Sequence, residues 1–243
     1  QGGVPPANMG TTPPKKKSKT GCIIGGCAVL LIIGIILTIV VVRSVMTNLP
    51  TTITTPAANG SNVLLEDNFS STSSGFEEWD QFDSVGAYED GTYTIEVLVP
   101  NMFYWSNTGD SYSDFVVDVD TVKRGGSDDN HFGLVLRYQD SDNFYMFNVS
   151  SDGMYSFGYY EDDEWTAIVN WTDSSVIKQG DNSRNHLTVE AVGDTFTLMV
   201  NGEVLEIVHD TTFSSGDIGM YAGSIDDPGT KIAFDNLAIY EVN

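Results

Sequence analysis

Two aspartates stand two positions apart in the run SDFVVDVDTV, at residues 118 and 120. Alternate residues of a β-strand lie on one face, and glycoside hydrolysis needs two carboxylates about 5 Å or about 6.5–9.5 Å apart. Asp118 and Asp120 are therefore the candidates for a catalytic acid and base. A solvated strand face is the simpler interpretation, because Phe115, Val117 and Val119 alternate with them as the apolar face.

Other residues capable of catalysis are dispersed along the chain. The acids from Glu161 to Glu164 form a second possible source of acid and base, but they lie in a predicted turn, where charged residues are the soluble choice. Three histidines, at positions 131, 186 and 209, fall on predicted strands or at their edges, without a G-x-S-x-G run nearby. A catalytic metal favours clustered histidines, so the sequence favours neither a catalytic triad nor a metal enzyme.

Aromatic side chains on neighbouring predicted strands offer a different chemistry, which is stacking against the C–H faces of sugars. Arg137 alternates with Val135 and Gln139 on one strand, and aromatic residues alternate on the next two. If these faces coincide, one concave surface carries the predicted ligand-binding residues, which are Arg137, Tyr145, Tyr155, Tyr159 and Trp165. The alternative is that most of these rings fill the core between two sheets, since sandwich cores are built from such alternation.

Short runs of β-branched and aromatic residues recur between turn signals from residue 92 to the end, without a long helical period. They predict strands at 92–99, 113–122, 131–139, 144–150, 154–160, 165–171, 186–192, 195–200, 203–208, 217–222 and 231–242. Hairpin turns are predicted at Asn201-Gly202, Asp152-Gly153 and Gly193-Asp194, because these residue types accept positive φ angles. We therefore expect an all-β fold, an antiparallel jelly-roll β-sandwich of two sheets.

An uncharged apolar segment, GCIIGGCAVLLIIGIILTIVVV, occupies residues 21–42. As a helix it would be about 33 Å long, which is enough to cross the hydrocarbon core of a bilayer. Four lysines between residues 15 and 19 precede it and Arg43 follows it, so the positive-inside rule predicts a cytoplasmic N-terminus and an extracellular C-terminus. A cleaved signal peptide is the alternative, but the apolar run exceeds the usual signal length and no small-x-small cleavage site stands out after it.

These boundaries predict a disordered basic cytoplasmic tail (1–20), one transmembrane α-helix (21–43), a Thr/Pro-rich extracellular stalk (44–62) and the sandwich domain (63–243). The tail has a linker composition and starts with Gln, so we expect an upstream cytoplasmic domain. Cys22 and Cys27, the two cysteines, lie at the cytoplasmic end of the predicted helix. The domain therefore contains no disulfide, and acylation of these thiols stays open.

Acidic and basic residues are distributed unevenly along the chain. All 34 acidic residues fall at or after Glu66, where they are accompanied by six basic residues, giving this part a net charge of −28. Such a surface repels nucleic acid phosphates and attracts cations. We therefore expect no nucleic acid partner.

Three stretches together resemble the concanavalin A-like, laminin-G-like jelly roll: FGLVLRYQDSDNFYMFNVSSDGMYSF (132–157), RNHLTVEAVGDTFTLMVNGEVL (184–205) and GDIGMYAGSIDDPGTKIAFDNLAIYEV (216–242). Within that group, the sequence is similar to the 3-keto-disaccharide hydrolase-like sandwich domains, which are often attached to bacterial membrane anchors or kinases. The resemblance covers nearly all of residues 64–242. Its most specific motifs, GLxxR…NFYxFxVSxDG, xVNGxxL and FDNLxIY, describe turns and core positions, so it implies the fold and not a substrate.

The resemblance also carries expectations about sites. Related laminarinase-type sandwiches have an E-x-D-x-x-E strand, and the strand with Asp118 and Asp120 lacks both glutamates, which counts against hydrolysis. Many sandwiches of this superfamily hold a structural Ca²⁺ where the first and last strands meet, and Asp67 and Asp235 offer suitable oxygen ligands there. Calcium is therefore the cofactor implied, although no EF-hand-like loop occurs.

These observations predict a membrane-anchored extracellular module that binds carbohydrate or a cell-surface glycan in adhesion or sensing, and that contacts the bilayer through residues 21–43. Two alternatives stay open. One is a glycoside hydrolase-like enzyme that acts on a disaccharide or polysaccharide. The other is a structural accessory subunit of a membrane assembly, which would contact other chains through its helix and tail.

Overall fold

The computed structural model describes residues 3–4, 62–72 and 75–242, and these ranges contain sixteen β-strands and no helix. The strands are β1 (Gly3–Val4), β2 (Val63–Asp67), β3 (Trp79–Asp80), β4 (Ser84–Glu89), β5 (Thr92–Val97), β6 (Met102–Asn107), β7 (Phe115–Gly125), β8 (His131–Asp140), β9 (Asn143–Ser150), β10 (Met154–Glu161), β11 (Glu164–Asp173), β12 (Arg184–Val192), β13 (Thr195–Val200), β14 (Glu203–His209), β15 (Asp217–Ser224) and β16 (Thr230–Glu241). Within the described ranges, no helix has the length and hydropathy needed to cross a membrane. The predicted tail, transmembrane helix and stalk lie outside the described residues, except for residues 3–4 and 62.

The strands form two antiparallel sheets. Sheet A has the order β1-β6-β15-β8-β9-β10-β11, and sheet B has the order β14-β13-β12-β7-β16-β5-β4-β3, with β2 paired to the second half of β16. The predicted two-sheet antiparallel β-sandwich is confirmed. The strands predicted from the sequence correspond to β5 and β7–β16, whereas β1, β2, β3, β4 and β6 are strands that the prediction lacks.

Tight turns join several of the strands as the sequence predicts. Asn201 and Gly202 have φ angles of 54° and 81° and connect β13 to β14, where Val200 pairs with Glu203. Two consecutive positive φ angles are typical of a type I′ turn, which matches the twist of the strands that it joins. Gly193, with φ of 56°, begins the equally short turn from β12 to β13.

The main core lies between the two sheets and is built from alternate residues of their central strands. On β7, the buried side chains Phe115, Val117 and Val119 alternate with the partly exposed Asp118 and Asp120, as predicted. Sheet A contributes mainly aromatic and leucine side chains: Phe132, Leu134, Leu136, Tyr145, Phe147, Tyr155 and Phe157. Sheet B opposes them with Leu187, Val189, Phe196, Leu198, Ile232 and Phe234. Because successive residues of a strand face opposite sides, this pattern fixes which side chains are left for the outer faces.

A β-bulge in β8 interrupts this alternation. The pairing of β8 with β9 shifts after Leu136, and Arg137 has a φ angle of 48°, in the left-handed region. Bulges re-aim side chains, and here the guanidinium of Arg137 turns into the sandwich. The side chain is 1% exposed and lies 4.8 Å from the centroid of the Phe196 ring. The predicted position of Arg137, on the same face as Val135, is corrected by this bulge.

Arg137 connects three loops at one end of the sandwich. Its Nη1 donates to the carbonyl oxygen of Phe213 at 2.9 Å, and its Nη2 donates to the carbonyl oxygens of Ser113 and Gly193, each at 2.8 Å. These carbonyl groups belong to the β14–β15, β6–β7 and β12–β13 connections. One charged group thus satisfies acceptors that would otherwise lack partners, which accounts for its burial.

Replacement of this guanidinium should lower the stability of the sandwich strongly. We expect Arg137→Met to reduce the free energy of unfolding by about 3 kcal/mol or more, because hydrogen bonds to a charged donor are lost and buried carbonyls are orphaned. Urea denaturation followed by tryptophan fluorescence measures this change. Arg184→Met is the matched control, since its half-exposed side chain forms a surface ion pair worth about 1 kcal/mol or less. Equal midpoints for the two variants would contradict this account of Arg137.

Candidate functional site

Asp118 and Asp120 lie on the outer face of sheet B, in an ion network that joins β7, β12 and β16. The ring of His186 stands between them, with Nδ1 3.0 Å from Asp120 Oδ1 and Nε2 3.4 Å from Asp118 Oδ1. Arg184 Nη1 and Asn236 Nδ2 also donate to Asp120 Oδ2, at 2.8 and 2.9 Å. Both carboxylates are thus engaged by partners across the sheet, in the manner of cross-strand charge pairs.

The pKa shifts in this network follow from the same contacts. Hydrogen bonding to Asp118 raises the pKa of His186, against the effect of its partial burial, so His186 keeps its charge to higher pH. Burial alone would raise the pKa of Asp120, but hydrogen bonds from Asn236 and His186 and the charge of Arg184 hold it below its ordinary value. An acid that donates a proton in glycoside hydrolysis needs a raised pKa, and Asp120 has the opposite shift.

Two other predicted groups of acids occupy ordinary positions in the fold. Asp162 and Asp163, in the middle of the Glu161–Glu164 run, have φ angles of 52° and 66° and form the turn between β10 and β11.

Asp67 and Asp235, the predicted metal ligands, are brought near the same part of β16, because Asp67 pairs with Leu237. Asp67 accepts a hydrogen bond from its own turn, at Phe69 N. Asp235 lies 3.8 Å from the Arg184 guanidinium, which disfavours a second cation.

Across residues 62–72 and 75–242, His, Cys, Asp and Glu side chains form no group of three or more that could hold a metal ion. The structure therefore adds no support for calcium at this place, and calcium stays a prediction from the sequence.

The predicted ligand-binding residues do not share one surface. Tyr145, Tyr155 and Tyr159 point between the sheets and belong to or pack against the main core, as does Arg137. Trp165 lies on the opposite, outer face of sheet A, where it packs against Tyr160 with ring centroids 5.2 Å apart. The strands were predicted correctly, but four of the five side chains face inward.

A second apolar cluster covers the outer face of sheet A. Every member comes from the strands of this sheet, and we call this set the aromatic face: Phe103, Trp105, Val135, Tyr138, Phe144, Met146, Tyr160, Trp165 and Tyr221. The rings pack closely, for example with 5.5 Å between the centroids of Phe103 and Trp105. The central rings are buried, whereas Tyr138 and Trp165 at the margins are partly exposed. Margin rings of this kind have one side packed and the other open.

Glycines let the side chains of this face lie flat against the sheet. A Cβ atom added at Gly158 would come within 2.8 Å of the Trp165 ring, and one at Gly223 within 2.3 Å of the His131 ring. At Gly219, it would meet the Asn107 side-chain oxygen at 2.1 Å. No side chain could replace these hydrogen atoms without moving the group above it. Glycine at these three positions therefore allows the side chains above them to pack close to the sheet.

A buried polar row crosses one end of the aromatic face. Tyr221 donates its hydroxyl hydrogen to Asn148 Oδ1, and Asn148 Nδ2 donates to Ser156 Oγ at 2.9 Å. Because the Tyr221 hydrogen is used, His131 Nδ1, 3.3 Å from that hydroxyl, must carry the hydrogen of their contact. The tautomer assigned in this way leaves His131 Nε2 as an acceptor, and this buried atom has no hydrogen-bond partner.

An open cleft of about 260 Å³ lies at the other end, where β6 and β8 meet the segment before β3. Trp105 and Tyr138 line it, and their rings pack against each other with centroids 5.9 Å apart. The remaining lining residues are polar or small: Gly75, Glu77, Ser106, Asn107, Thr108 and Gly109. The cleft approaches the lower end of the roughly 300–1,000 Å³ range of small-molecule sites, and it combines aromatic residues with a few polar groups.

One polar atom on the cleft side of β6 lacks a partner. Asn107 Oδ1 is buried and makes no hydrogen bond, whereas the Ser106 side chain points to the inner face of the sheet, beside Tyr93. A buried acceptor without a partner costs about 1–3 kcal/mol, which a ligand donor would recover. The sequence-based prediction missed the cleft because it did not include β6, although MFYWSN between Pro100-Asn101 and Thr108-Gly109 is a typical strand signal.

Comparison with known proteins identifies the architecture. No protein-family model matches this chain, and no curated protein matches it. A protein of unknown function with a galectin-like fold from Bacillus subtilis superposes with a TM-score of 0.57 at 10% identity, over 74% of this chain and 97% of that chain. In its fold, the chain resembles this galectin-like β-sandwich.

Two further solved structures resemble this galectin-like sandwich. The Crh5 transglycosylase matches with a TM-score of 0.52 at 12% identity, over 74% of this chain and 84% of that chain. The carbohydrate-binding module CBM66 from Bacillus subtilis is 22% identical, with a TM-score of 0.49, over 69% of this chain and 93% of that chain. At these identities the likeness shows the fold alone.

The buried His131 should make stability depend on pH below neutrality. Burial lowers the pKa of His131 to about 4 in the folded state, whereas an unfolded chain has a value of about 6.5. As the pH falls from 6.5 to 4, the unfolded state binds the proton first, so stability declines, by up to about 3 kcal/mol. Urea denaturation at several pH values should show a shallower decline for His131→Gln. The exposed His209→Gln is the control, and parallel curves for all three proteins would refute the effect of burial.

Proposed function

We propose that this galectin-like sandwich binds carbohydrate at the cleft formed by Trp105 and Tyr138. The observation that carries the proposal is the combination of the partly exposed Tyr138 ring, which packs on Trp105, with the unpartnered Asn107 Oδ1 in one open cleft. Sugar rings present apolar C–H faces, which stack on aromatic rings, and hydroxyl groups, which donate to such acceptors. Carbohydrate-related proteins among the structural neighbours agree with this proposal but do not identify a ligand.

Binding is better supported than hydrolysis. Among the described residues that line the cleft, Glu77 is the one carboxylate, whereas glycoside hydrolysis ordinarily uses two carboxyl groups on either side of the bond. The predicted pair of Asp118 and Asp120 lies on the other sheet and is engaged by His186. We therefore propose a recognition module for adhesion or sensing.

A glycan array probed with the purified chain should give saturable binding that depends on the cleft. We expect Tyr138→Ala and Asn107→Ala each to weaken binding of the best glycan by roughly ten-fold or more, because a stacking surface or a buried acceptor is lost. Titration calorimetry measures the affinities. Phe82→Ala is the matched control, since Phe82 is 88% exposed and lies outside the cleft.

Thermal unfolding of each variant must accompany these titrations, so that a loss of binding is not confused with a loss of folding. Trp105→Phe, which keeps a ring, provides a milder change at the more buried of the two rings. If no glycan binds, or if folded cleft variants bind as tightly as the Phe82 variant, the proposed function is wrong.

We also propose that residues 21–43 span a membrane and hold the sandwich outside the cell. Residues 21–42 contain 14 Ile, Leu and Val residues, each of which favours insertion by about 0.3–0.6 kcal/mol, or about 4–8 kcal/mol together. The β1 strand pairs only Gly3 and Val4 with β6, and such hydrogen bonds contribute about 1 kcal/mol each. If this helix spans a membrane, residues 3–4 and the sandwich lie on opposite sides of it, so the span and the pairing of β1 with β6 exclude each other. The free energy of insertion is larger than that of the two-residue pairing, and it favours the span.

Cysteine labelling tests this orientation. In a chain without its native cysteines, Cys22→Ser and Cys27→Ser, a new thiol is placed before the helix by Thr11→Cys or after it by Thr51→Cys. An impermeant maleimide applied to intact cells should label the variant at position 51 only. Lysis should expose position 11 to the same reagent. Labelling of both positions in intact cells would contradict a single span with this orientation.

A further inference from the structure

A cleft of about 500 Å³ also lies on the outer face of sheet B, where residues of β4, β5, β7 and β16 line it. We call it the sheet B cleft. Its floor is the cross-strand pair of Thr94 and Ala233, which are 4% and 3% exposed. Their neighbours Ile95 and Ile232 point into the core, so this pair faces outward. The volume of the cleft lies within the roughly 300–1,000 Å³ range of small-molecule sites.

Two of the longer side chains that line this cleft form an ion pair. Lys231 Nζ lies 2.6 Å from Glu89 Oε2 and 3.8 Å from Glu96 Oε2. The hydrogen bond from Lys231 and its charge hold the pKa of Glu89 below its ordinary value, so this carboxylate stays ionised and paired. The formal charges of Lys231 and Glu89 therefore cancel, and Lys231 is already occupied by acids of the chain.

Arg124, the other basic residue that lines the cleft, has a neutral partner instead. Its Nη1 donates to Asn182 Oδ1 at 2.9 Å. Within the described part of the chain, the other arginines, Lys123 and Lys231 each have a carboxylate within 4.0 Å, whereas Arg124 has none. A guanidinium has five N–H donors, and the contact with Asn182 uses one of them. Because acids outnumber bases so strongly in this region, a guanidinium that lines a cleft without an acid partner indicates an anionic ligand.

The β4–β5 hairpin supplies hydrogen-bond acceptors to the same cleft. Asp90 and Gly91 form its two-residue turn, with φ angles of 51° and 75°, and Glu89 pairs with Thr92 across it. The Asp90 carboxylate lines the cleft and only accepts hydrogen bonds. Thr92 Oγ1 donates to the carbonyl oxygen of Glu89 at 2.8 Å, which leaves its lone pairs as acceptors. The cleft thus combines one cationic donor with acceptors that suit hydroxyl groups.

We propose that the sheet B cleft binds an acidic sugar, with the carboxylate of a uronate residue on the Arg124 guanidinium and with sugar hydroxyl groups donating to Asp90. A carboxylate matches a guanidinium through two parallel hydrogen bonds. Its single charge balances that of Arg124, whereas the acids of the hairpin repel a more highly charged group such as a phosphate. This site is on the other sheet from the cleft at Trp105 and Tyr138, and it does not depend on the binding proposed there.

The α-1,4-linked tetramer of galacturonate and its methyl ester test the inference, because esterification removes the charges and keeps the sugar rings. Calorimetric titrations use the full chain, kept in solution by a non-ionic detergent without a sugar headgroup, at pH 7 and about 0.15 M NaCl, where the Debye length of about 8 Å screens distant acids. A chelator prevents divalent cations from linking the ligand to acids of the chain. We expect the acid to bind about ten-fold more tightly than the ester.

Paired variants separate the cleft from the overall charge of the chain. Arg124→Gln and Lys178→Gln each remove one positive charge, but Lys178 is exposed and lies outside the cleft. We expect the affinity for the acid to fall to that for the ester in the first variant and to stay unchanged in the second. Asp90→Asn, which suits the same turn, should weaken binding of acid and ester alike by several-fold, because a charged acceptor is lost. Thermal unfolding of each variant confirms that it is folded.

Several outcomes overturn the sheet B site and leave the function proposed for sheet A intact. These are failure of the galacturonate tetramer to bind, equal binding of acid and ester, and equal affinities of the Arg124 and Lys178 variants. Tighter binding by Asp90→Asn, or binding of a tetraglutamate peptide as tight as that of the sugar, reduces the effect to charge alone and also overturns it. If Tyr138→Ala abolishes binding of the acid and Arg124→Gln does not, the sugar lies in the cleft on sheet A, which overturns the sheet B site and supports the function proposed there.

Discussion

Sheet A packs apolar side chains on both of its faces, and this double burial determines where a site can form. Antiparallel sheets commonly have one apolar face and one polar face, whereas β9 is buried along nearly its whole length, with Tyr145 and Phe147 on the inner face and Phe144 and Met146 on the outer one. The outer layer ends at Trp105 and Tyr138. The Tyr138 ring is packed on one side against Trp105 and partly exposed on the other, so the cleft is preorganised by the same packing that stabilises the sheet.

The bulge at Arg137 connects this margin to the rest of the sandwich. In a regular strand Arg137 would point outward and Tyr138 inward; the shift in pairing after Leu136 reverses both. The guanidinium then satisfies three loop carbonyls inside, while the Tyr138 ring joins Trp105 outside. The bulge therefore has two effects. It places Arg137 at one end of the core, and it places Tyr138 in the lining of the cleft. Positive φ at an arginine has a conformational cost of about 1 kcal/mol or more, which the three charged hydrogen bonds exceed.

Much of the fold could be predicted from the sequence, because the turn signals and strand patterns act locally. Asn201-Gly202 specifies its hairpin through the φ angles that these residues accept, and the alternation on β7 reveals its buried face. The face of the aromatic strands could not be predicted in this way. When both alternating sets are aromatic, as in FYMF and MYSFGYY, the pattern is the same for either assignment, and a shift by one residue exchanges the two faces. Tyr145, Tyr155 and Tyr159 were assigned to a binding surface on the correct strands, but their neighbours face outward.

The charged side chains of the two sheets also differ in their positions, and these positions matter more for a ligand than the net charge of the chain does. On sheet B, Asp118 and Asp120 have His186 and Arg184 as partners within about 3.4 Å, so their fields cancel at short range. Among the described residues that line the cleft at Trp105 and Tyr138, none is basic. At physiological salt the Debye length is about 8 Å, so most of the 34 acidic residues are screened from a ligand in the cleft. A ligand in the cleft therefore meets mainly the polar and aromatic residues that line it, with Asn107 Oδ1 as an acceptor without a partner. The residues that line the cleft, and not the overall acidity of the chain, therefore distinguish it from the outer face of sheet B.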